Sequence, residues 1–223
     1  MVLYIFTMKT LFTLNYEKLK TLVCDTLNIE HWFIRNDKIK SRTDSIEYSE
    51  RFKYLQNRAR DCNFLFNNTE IVSWLDTLTT MYYVFDSIKD DYLKTHITIL
   101  QEYCIPFSNK RADYLLVYDN KILIIEFSFN KLGYEFNYET KLQQAISYKE
   151  LLSNILPKEI EIGTYTFLLE PEEDRYGNAI YINDGNDLPN NPKIEDMANY
   201  IVEYFNKNIN LAINSLRQLN SKR

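Results

Sequence analysis

The stretch ADYLLVYDNKILIIEF, residues 112–127, decides how this chain is read. Two runs rich in β-branched and aromatic residues flank Asp119-Asn120, a dipeptide that tolerates left-handed backbone and suits a two-residue hairpin turn. With the turn centred there, Val117 faces Ile122, Leu115 faces Ile124 and Asp113 faces Glu126, each pair with Cβ atoms about 4.5–5.5 Å apart. Two carboxylates are thereby set side by side in an otherwise apolar sheet. Directly opposed like charges destabilise a sheet, and desolvated carboxylates need partners. A divalent cation removes the conflict. Carboxylate oxygens are hard ligands that suit Mg²⁺ or Mn²⁺, and Mg²⁺ keeps several waters, leaving room for a phosphate. The bland alternative is that Asp113 and Glu126 are solvated at strand ends or pair with Arg111 and nearby lysines. A one-residue slip of register would also separate them.

Outward from the hairpin, THITILQEY (95–103), GTYTFLL (163–169) and AIYIN (179–183) read as further strands. Between the hairpin and GTYTFLL, Leu142, Ala145, Ile146 and Leu151 or Leu152 recur at helical spacing from Glu139 to about Asn154, which predicts a crossover helix. The N-terminal third reads as mainly helical. Asn15 caps one helix to about Asn28, a second runs from Ser45 to about Cys62, and Thr69 caps a third whose stripe is Ile71, Trp74, Leu75, Leu78, Tyr82 and Phe85. Asn183 to Pro192 reads as a loop. A long amphipathic helix follows, with Ile194, Met197, Ile201, Phe205, Ile209, Ala212 and Leu216 on one side. The expected fold class is α/β (α+β), with a mixed central sheet of about four to five strands flanked by helices. Residues 1–68 are expected to be a helical elaboration packed on a core spanning 69–223.

Composition narrows the function. The 223 residues are 45% hydrophobic and 15% aromatic, enough for a globular core and too much for a disordered chain. Three widely spaced cysteines, Cys24, Cys62 and Cys104, offer no zinc spacing and point to a reduced, cytoplasmic setting. The opening MVLYIFT is short and lacks a basic leader, so it does not read as a signal peptide, and no run is long enough for a membrane span. A net charge of −5 argues against a protein that coats nucleic acid by bulk electrostatics, while an acidic site with a local basic rim stays compatible. Two histidines and four glycines, with neither GxxxxGK nor GxGxxG, exclude those phosphate-cradling nucleotide sites.

The stretch IPFSNKRADYLLVYDNKILIIEFS, 105–128, resembles the PD-(D/E)xK nuclease superfamily, whose signature is an Asp on one strand and Glu-x-Lys on the next. EYCIPFSNKRAD, preceded by the helix containing SWLDTL, is similar to the nuclease-like domain at the N-terminus of some bacterial superfamily 1 helicase-related proteins. Gln144 and Tyr148 in QAISY resemble the Gln-xxx-Tyr helix of RecB-like exonuclease domains. The likeness covers about residues 69–154. It implies a restriction-endonuclease-like fold and a metal-dependent endonuclease or exonuclease, a hydrolase acting on DNA with Mg²⁺ or Mn²⁺ at Asp113 and Glu126. It also implies a site-orienting or nucleic-acid-binding role for Gln144 and Tyr148, and gives Glu70 as an extra helix acid, although Glu70 equally favours a helix N-terminus.

The chain departs from this pattern at Ser128, where the family has its lysine; a serine supplies a hydrogen bond but no charge. Lys141 is the first substitute, because it shares one helix face with Gln144 and Tyr148. Arg111, set opposite Ser128 by the hairpin register, is the second, and Lys131 the third. A solvated helix lysine is the competing reading of Lys141, and the edge of a buried helix that of Gln144 and Tyr148. Three functions are therefore expected. The first is a DNA nuclease of phage defence, restriction or a mobile element, with a helicase or other NTPase subunit as a possible partner. The second is an inactive module that binds nucleic acid or a partner protein. The third is an interaction protein whose last helix pairs two copies as a homodimer.

Overall fold

The structure is a computed structural model that describes residues 9–30, 49–129, 134–169, 172–173, 179–180 and 193–206. Lys131, the loop Asn183–Pro192, and Ile209, Ala212 and Leu216 lie outside the described residues.

A five-stranded mixed sheet flanked by helices forms the body of the protein. Its strands, in spatial order, are β1 (Phe12–Leu14), β2 (Thr98–Cys104), β3 (Arg111–Tyr118), β4 (Lys121–Phe129) and β5 (Glu161–Leu169). The first four pair antiparallel, and β4 pairs parallel with β5. A parallel pair needs a crossover, and α5 (Tyr134–Ile155) provides it. The hairpin has the expected register, Val117 with Ile122 and Leu115 with Ile124. Asp119 takes the left-handed backbone of its two-residue turn, with φ of 52°.

The helices differ from expectation mostly at their ends. α1 (Tyr16–Lys20) is capped by Asn15, whose side chain accepts from the Lys18 N–H, and continues as a π-helical segment, Thr21–Thr26. α2 spans Glu50–Asp61 and is capped by Ser49. α3 (Asn68–Ser87) begins at Asn67 and not at Thr69: Asn67 accepts from the Glu70 N–H, while the Glu70 carboxylate accepts from the Asn67 N–H. This reciprocal box satisfies two orphan donors, whereas a cap at Thr69 would satisfy one. A short α4 (Asp91–His96) leads into β2, and helix α6 occupies 193–206. Of the AIYIN run, Ala179–Ile180 (β7) pairs with Glu172–Glu173 (β6) in a separate ribbon, and residues 181–183 lie outside the described residues.

The sheet buries both faces. On one side Trp74, Leu75, Leu78 and Phe85 of α3 pack with Tyr114, Leu116, Leu123 and Ile125, joined by Leu19, Phe52 and Leu55 from the N-terminal third and by Ile194, Met197 and Ile201 of α6. On the other, Tyr148 and Leu152 of α5 cover Leu100, Leu115, Ile124 and Ile162. The N-terminal third, expected as a helical layer alone, also supplies edge strand β1, whose alternation buries Phe12 and Leu14 and exposes Thr13. Among the described residues no helix is long and apolar enough to cross a membrane.

Candidate active site

The ladder between β3 and β4 ends at Tyr114 and Ile125, while β4 stays paired with β5 as far as Phe129. Just past that end the two carboxylates replace the missing ladder bonds. The Asp113 N–H donates to Glu126 Oε1 at 3.1 Å, and the Phe127 N–H donates to Asp113 Oδ2 at 2.8 Å. Each acid is therefore oriented by the other's strand. Loss of either would leave a buried backbone donor without its partner.

Lys141 completes the cluster. From α5 its ammonium donates to Asp113 Oδ2 at 3.1 Å and to Glu126 Oε2 at 2.9 Å. Asp113 and Glu126 thus meet on the side that α5 covers, as Leu115 and Ile124, two residues away from each, would require. Glu126 is fully buried, and the Asp113 side chain is 22% exposed. Burial, then the nearby Asp113 charge, pushes the Glu126 carboxyl up to about 8, with Lys141 and the Asp113 N–H opposing. For Lys141 burial acts to lower the pKa, but the charges of Asp113 and Glu126 and the hydrogen bonds to them prevail and hold it above the ordinary lysine value.

A third acid, Glu102, opens the EYCIPFSNKRAD segment but is not among the site residues expected from the sequence. It sits in β2 between Gln101, paired with Tyr114, and Tyr103, paired with Ala112, so its place in the register is opposite Asp113. Its φ of 55° is left-handed, uncommon for such a residue and rarer still inside a strand. Both strands break their alternation here. Leu100 and Tyr103 pack on the α5 side, as do Ala112 and Leu115, although each pair is an odd number of residues apart. The signal in the sequence was the polar pair Gln101-Glu102 within an otherwise apolar strand; the six-residue connection from Ile105 to Lys110 sets no register by itself.

Glu102 is buried and held by Arg111, whose guanidinium also pairs with Glu70. Burial, then Asp113, raises the Glu102 carboxyl well above its ordinary range, with Arg111 opposing. Arg111, the second substitute expected for the motif lysine, is engaged by Glu70 and Glu102. Glu70, expected as an extra helix acid or as a residue favouring the helix N-terminus, accepts from Arg111 with one carboxylate oxygen and from the Asn67 N–H with the other. Of the other expected residues, Gln144 lines the cleft and its amide donates to the Tyr148 hydroxyl, while the Tyr148 ring is buried under α5. Ser128 lies two residues beyond Glu126 on β4 and is buried.

A cleft of about 850 Å³ is lined by Lys9, Lys110, Arg111 and Lys141 against Glu70, Glu102 and Asp113. Four cations to three acids make a local basic rim in a chain of net charge −5. The donors of Asp113 and Glu126 fit a hard divalent cation, since both offer oxygen and Asp113 faces the cleft. Among the described residues no group of three or more Asp, Glu, His or Cys side chains is placed to hold a metal ion. Two carboxylates are what Mg²⁺ commonly takes from a protein when water and substrate phosphate fill the remaining positions. Comparison of the chain with protein-family models, curated proteins and solved structures finds no significant match.

Proposed function

We propose that the protein is a metal-dependent nuclease of the PD-(D/E)xK type with a restriction-endonuclease-like core, acting on DNA, in which the lysine lost at position 128 is replaced by Lys141. The observation that carries this reading is the double contact of Lys141 with Asp113 and Glu126. The contact joins a helix lysine and two strand carboxylates in one cluster, and together they offer what phosphodiester hydrolysis needs. Asp113 and Glu126 would hold Mg²⁺ or Mn²⁺. When bound, the metal lowers the pKa of a water and neutralises charge on the scissile phosphate. Lys141 keeps its proton at neutral pH and contributes a fixed positive charge beside the reacting phosphate, worth most in a site shielded from water. The Phe127 and Asp113 amides hold the carboxylates in place, so little reorganisation is needed when substrate arrives.

Purified protein assayed with Mg²⁺ or Mn²⁺ on a panel of DNA and RNA tests the reading. Cleavage by wild type should disappear in Asp113→Ala and Glu126→Ala and fall sharply in Lys141→Ala. Equal cleavage by wild type and these variants defeats the assignment.

One observation favours a second reading. Lys141 already neutralises the acidic pair without metal, as in a structural ion-pair network, so the fold would serve as a binding module with no catalysis. Calorimetric titration with Mn²⁺ separates the two: metal binding without turnover on any substrate selects the module.

A further inference from the structure

A row of three polar side chains crosses the sheet beneath α5. Asp113 in β3 and Glu126 in β4 are its first two members, and the parallel register places Thr166 of β5 opposite Glu126. The contacts of Lys141 put the two acids on the α5 side, and alternation puts Thr166 there too. Ile162, four residues before it, packs with Ile124 and Leu152 under α5, whereas the adjacent Phe167 packs on the other face. Neighbouring strands lie about 4.8 Å apart, so paired residues on one face stand side by side. α5 packs against both β4 and β5, and Thr166 Oγ1 is shielded from solvent. Among the described residues that hydroxyl has no hydrogen-bond partner. The buried threonines of α3 behave otherwise: Thr77, Thr79 and Thr80 donate to the carbonyls of Trp74, Leu75 and Asp76. A shielded hydroxyl left unbonded is costly, and in a folded protein it calls for a specific reason.

We propose that Thr166 is a positioning residue of the metal site: its hydroxyl donates to the Glu126 carboxylate when that carboxylate holds a divalent cation. The inference rests on the reading of Asp113 and Glu126 as metal ligands and deepens it by adding a residue from a third strand. In the structure Glu126 Oε1 accepts from the Asp113 N–H and Oε2 accepts from Lys141. An ionised carboxylate has about four lone-pair sites, so its oxygens have capacity left for a cation and one more donor. With a cation held by Asp113 and Glu126, the like-charged Lys141 ammonium is repelled. Glu126, fully buried, then loses a donor. Thr166 supplies one from the strand on its other side, and the fold need not change, because the hydroxyl turns about a single bond. A ligating carboxylate is ordinarily held by such a hydrogen bond, which fixes its orientation toward the metal. The hydroxyl is thus idle while Lys141 holds Glu126 and engaged once Glu126 serves as a ligand.

Two variants test this. Thr166→Val replaces the hydroxyl by a methyl of nearly the same shape, and Thr166→Ser keeps the hydroxyl. Titration of wild type and both variants with Mn²⁺, followed by the electron paramagnetic resonance of the free ion, gives affinities without any turnover. Melting in EDTA gives stability without metal. Thr166→Val should weaken Mn²⁺ binding about tenfold or more, the usual effect of removing a group that hydrogen-bonds a ligand, while Thr166→Ser stays within about threefold of wild type. In EDTA Thr166→Val should melt at or above the wild-type temperature, because the methyl removes an unbonded hydroxyl from a dry place. A threonine that only supports the fold would do the reverse, lowering stability and leaving affinity alone. A Thr166→Val protein that binds Mn²⁺ as tightly as wild type, or that melts below wild type in EDTA, overturns the proposal. An equal loss of affinity in Thr166→Ser overturns it as well. If wild type takes up no Mn²⁺, the metal reading of Asp113 and Glu126 falls and takes this proposal with it, an outcome distinct from a failure of Thr166 alone.

Discussion

The Lys141 ammonium donates to Glu126 Oε2 at 2.9 Å, joining the crossover helix to a fully buried carboxylate on the strand before it. The same nitrogen reaches Asp113 Oδ2 at 3.1 Å, so one cation is shared between two acids that would otherwise repel.

Removing that cation should act on stability and on chemistry in different directions with respect to metal. Lys141→Ala should lower metal-free stability by about 2–3 kcal/mol, less than a fully buried pair because Lys141 keeps some exposure. Its stability should also rise more steeply with added Mn²⁺ than that of wild type. Cleavage should fall by about 10²–10³-fold, the usual loss for one preorganised donor to developing charge. Adding Ser128→Lys to Lys141→Ala should recover part of the activity by returning a lysine to the family position. Thermal unfolding with a Mn²⁺ series, together with single-turnover cleavage, checks all four.

The acid pair should impose a pH dependence on folding. Glu126 is pushed up to about 8 in the folded protein by burial and by Asp113, while the unfolded chain has an ordinary glutamate. The folded state therefore binds the proton more tightly, and the stabilisation is complete below the unfolded pKa. It is lost as pH rises through the folded value, so metal-free stability should decline from about pH 5 to about pH 8. Glu126→Gln should flatten that decline. Because metal needs the ionised form, Mn²⁺ affinity should rise over the same interval and binding should release protons. Melting curves and calorimetry in buffers of different ionisation enthalpy measure both effects.

Arg111 is held by Glu70 and Glu102 and lies over the rings of Phe64 and Trp74 at 5.4 and 5.8 Å. Arg111→Ala should destabilise the fold by about 3 kcal/mol, because it strands the buried Glu102 charge. The double variant Arg111→Ala/Glu102→Gln should recover much of that loss. Urea denaturation of the four proteins of this cycle gives the coupling energy, and additive single effects would show that the pair does not interact.

Gly163 in β5 touches α6. A Cβ placed there would lie 2.5 and 2.9 Å from ring atoms of Tyr204, whose hydroxyl donates to the carbonyls of Ile122 and Glu161. Gly163→Ala should therefore cost about 1–3 kcal/mol by overpacking. Tyr204→Phe should cost about 1 kcal/mol through the lost hydrogen bonds. Equilibrium unfolding of the two variants measures both values.

Local signals in the chain were enough for the hairpin and for the pairing of its two acids. Asp119-Asn120 set the turn, the alternation on either side set the register, and the register brought Asp113 beside Glu126. Helical spacing on α5 put Lys141, Gln144 and Tyr148 on one face, while the 3.6-residue stripe of α3 identified Trp74, Leu75, Leu78 and Phe85 as core. All of these depend on residues close in sequence, where backbone geometry alone fixes which side chains are neighbours.

Contacts across long separations were decided only when the chain packed. Glu102 meets Arg111, and Arg111 meets Glu70, because β2, β3 and the start of α3 converge at one end of the sheet. β1 joins β2 through a pairing no local turn dictates. The choice of Lys141 over Arg111 as the cation of the acidic pair was likewise tertiary. Both were within reach by sequence, but Arg111 was claimed by two carboxylates of its own, and α5 laid Lys141 across the point where β3 and β4 part.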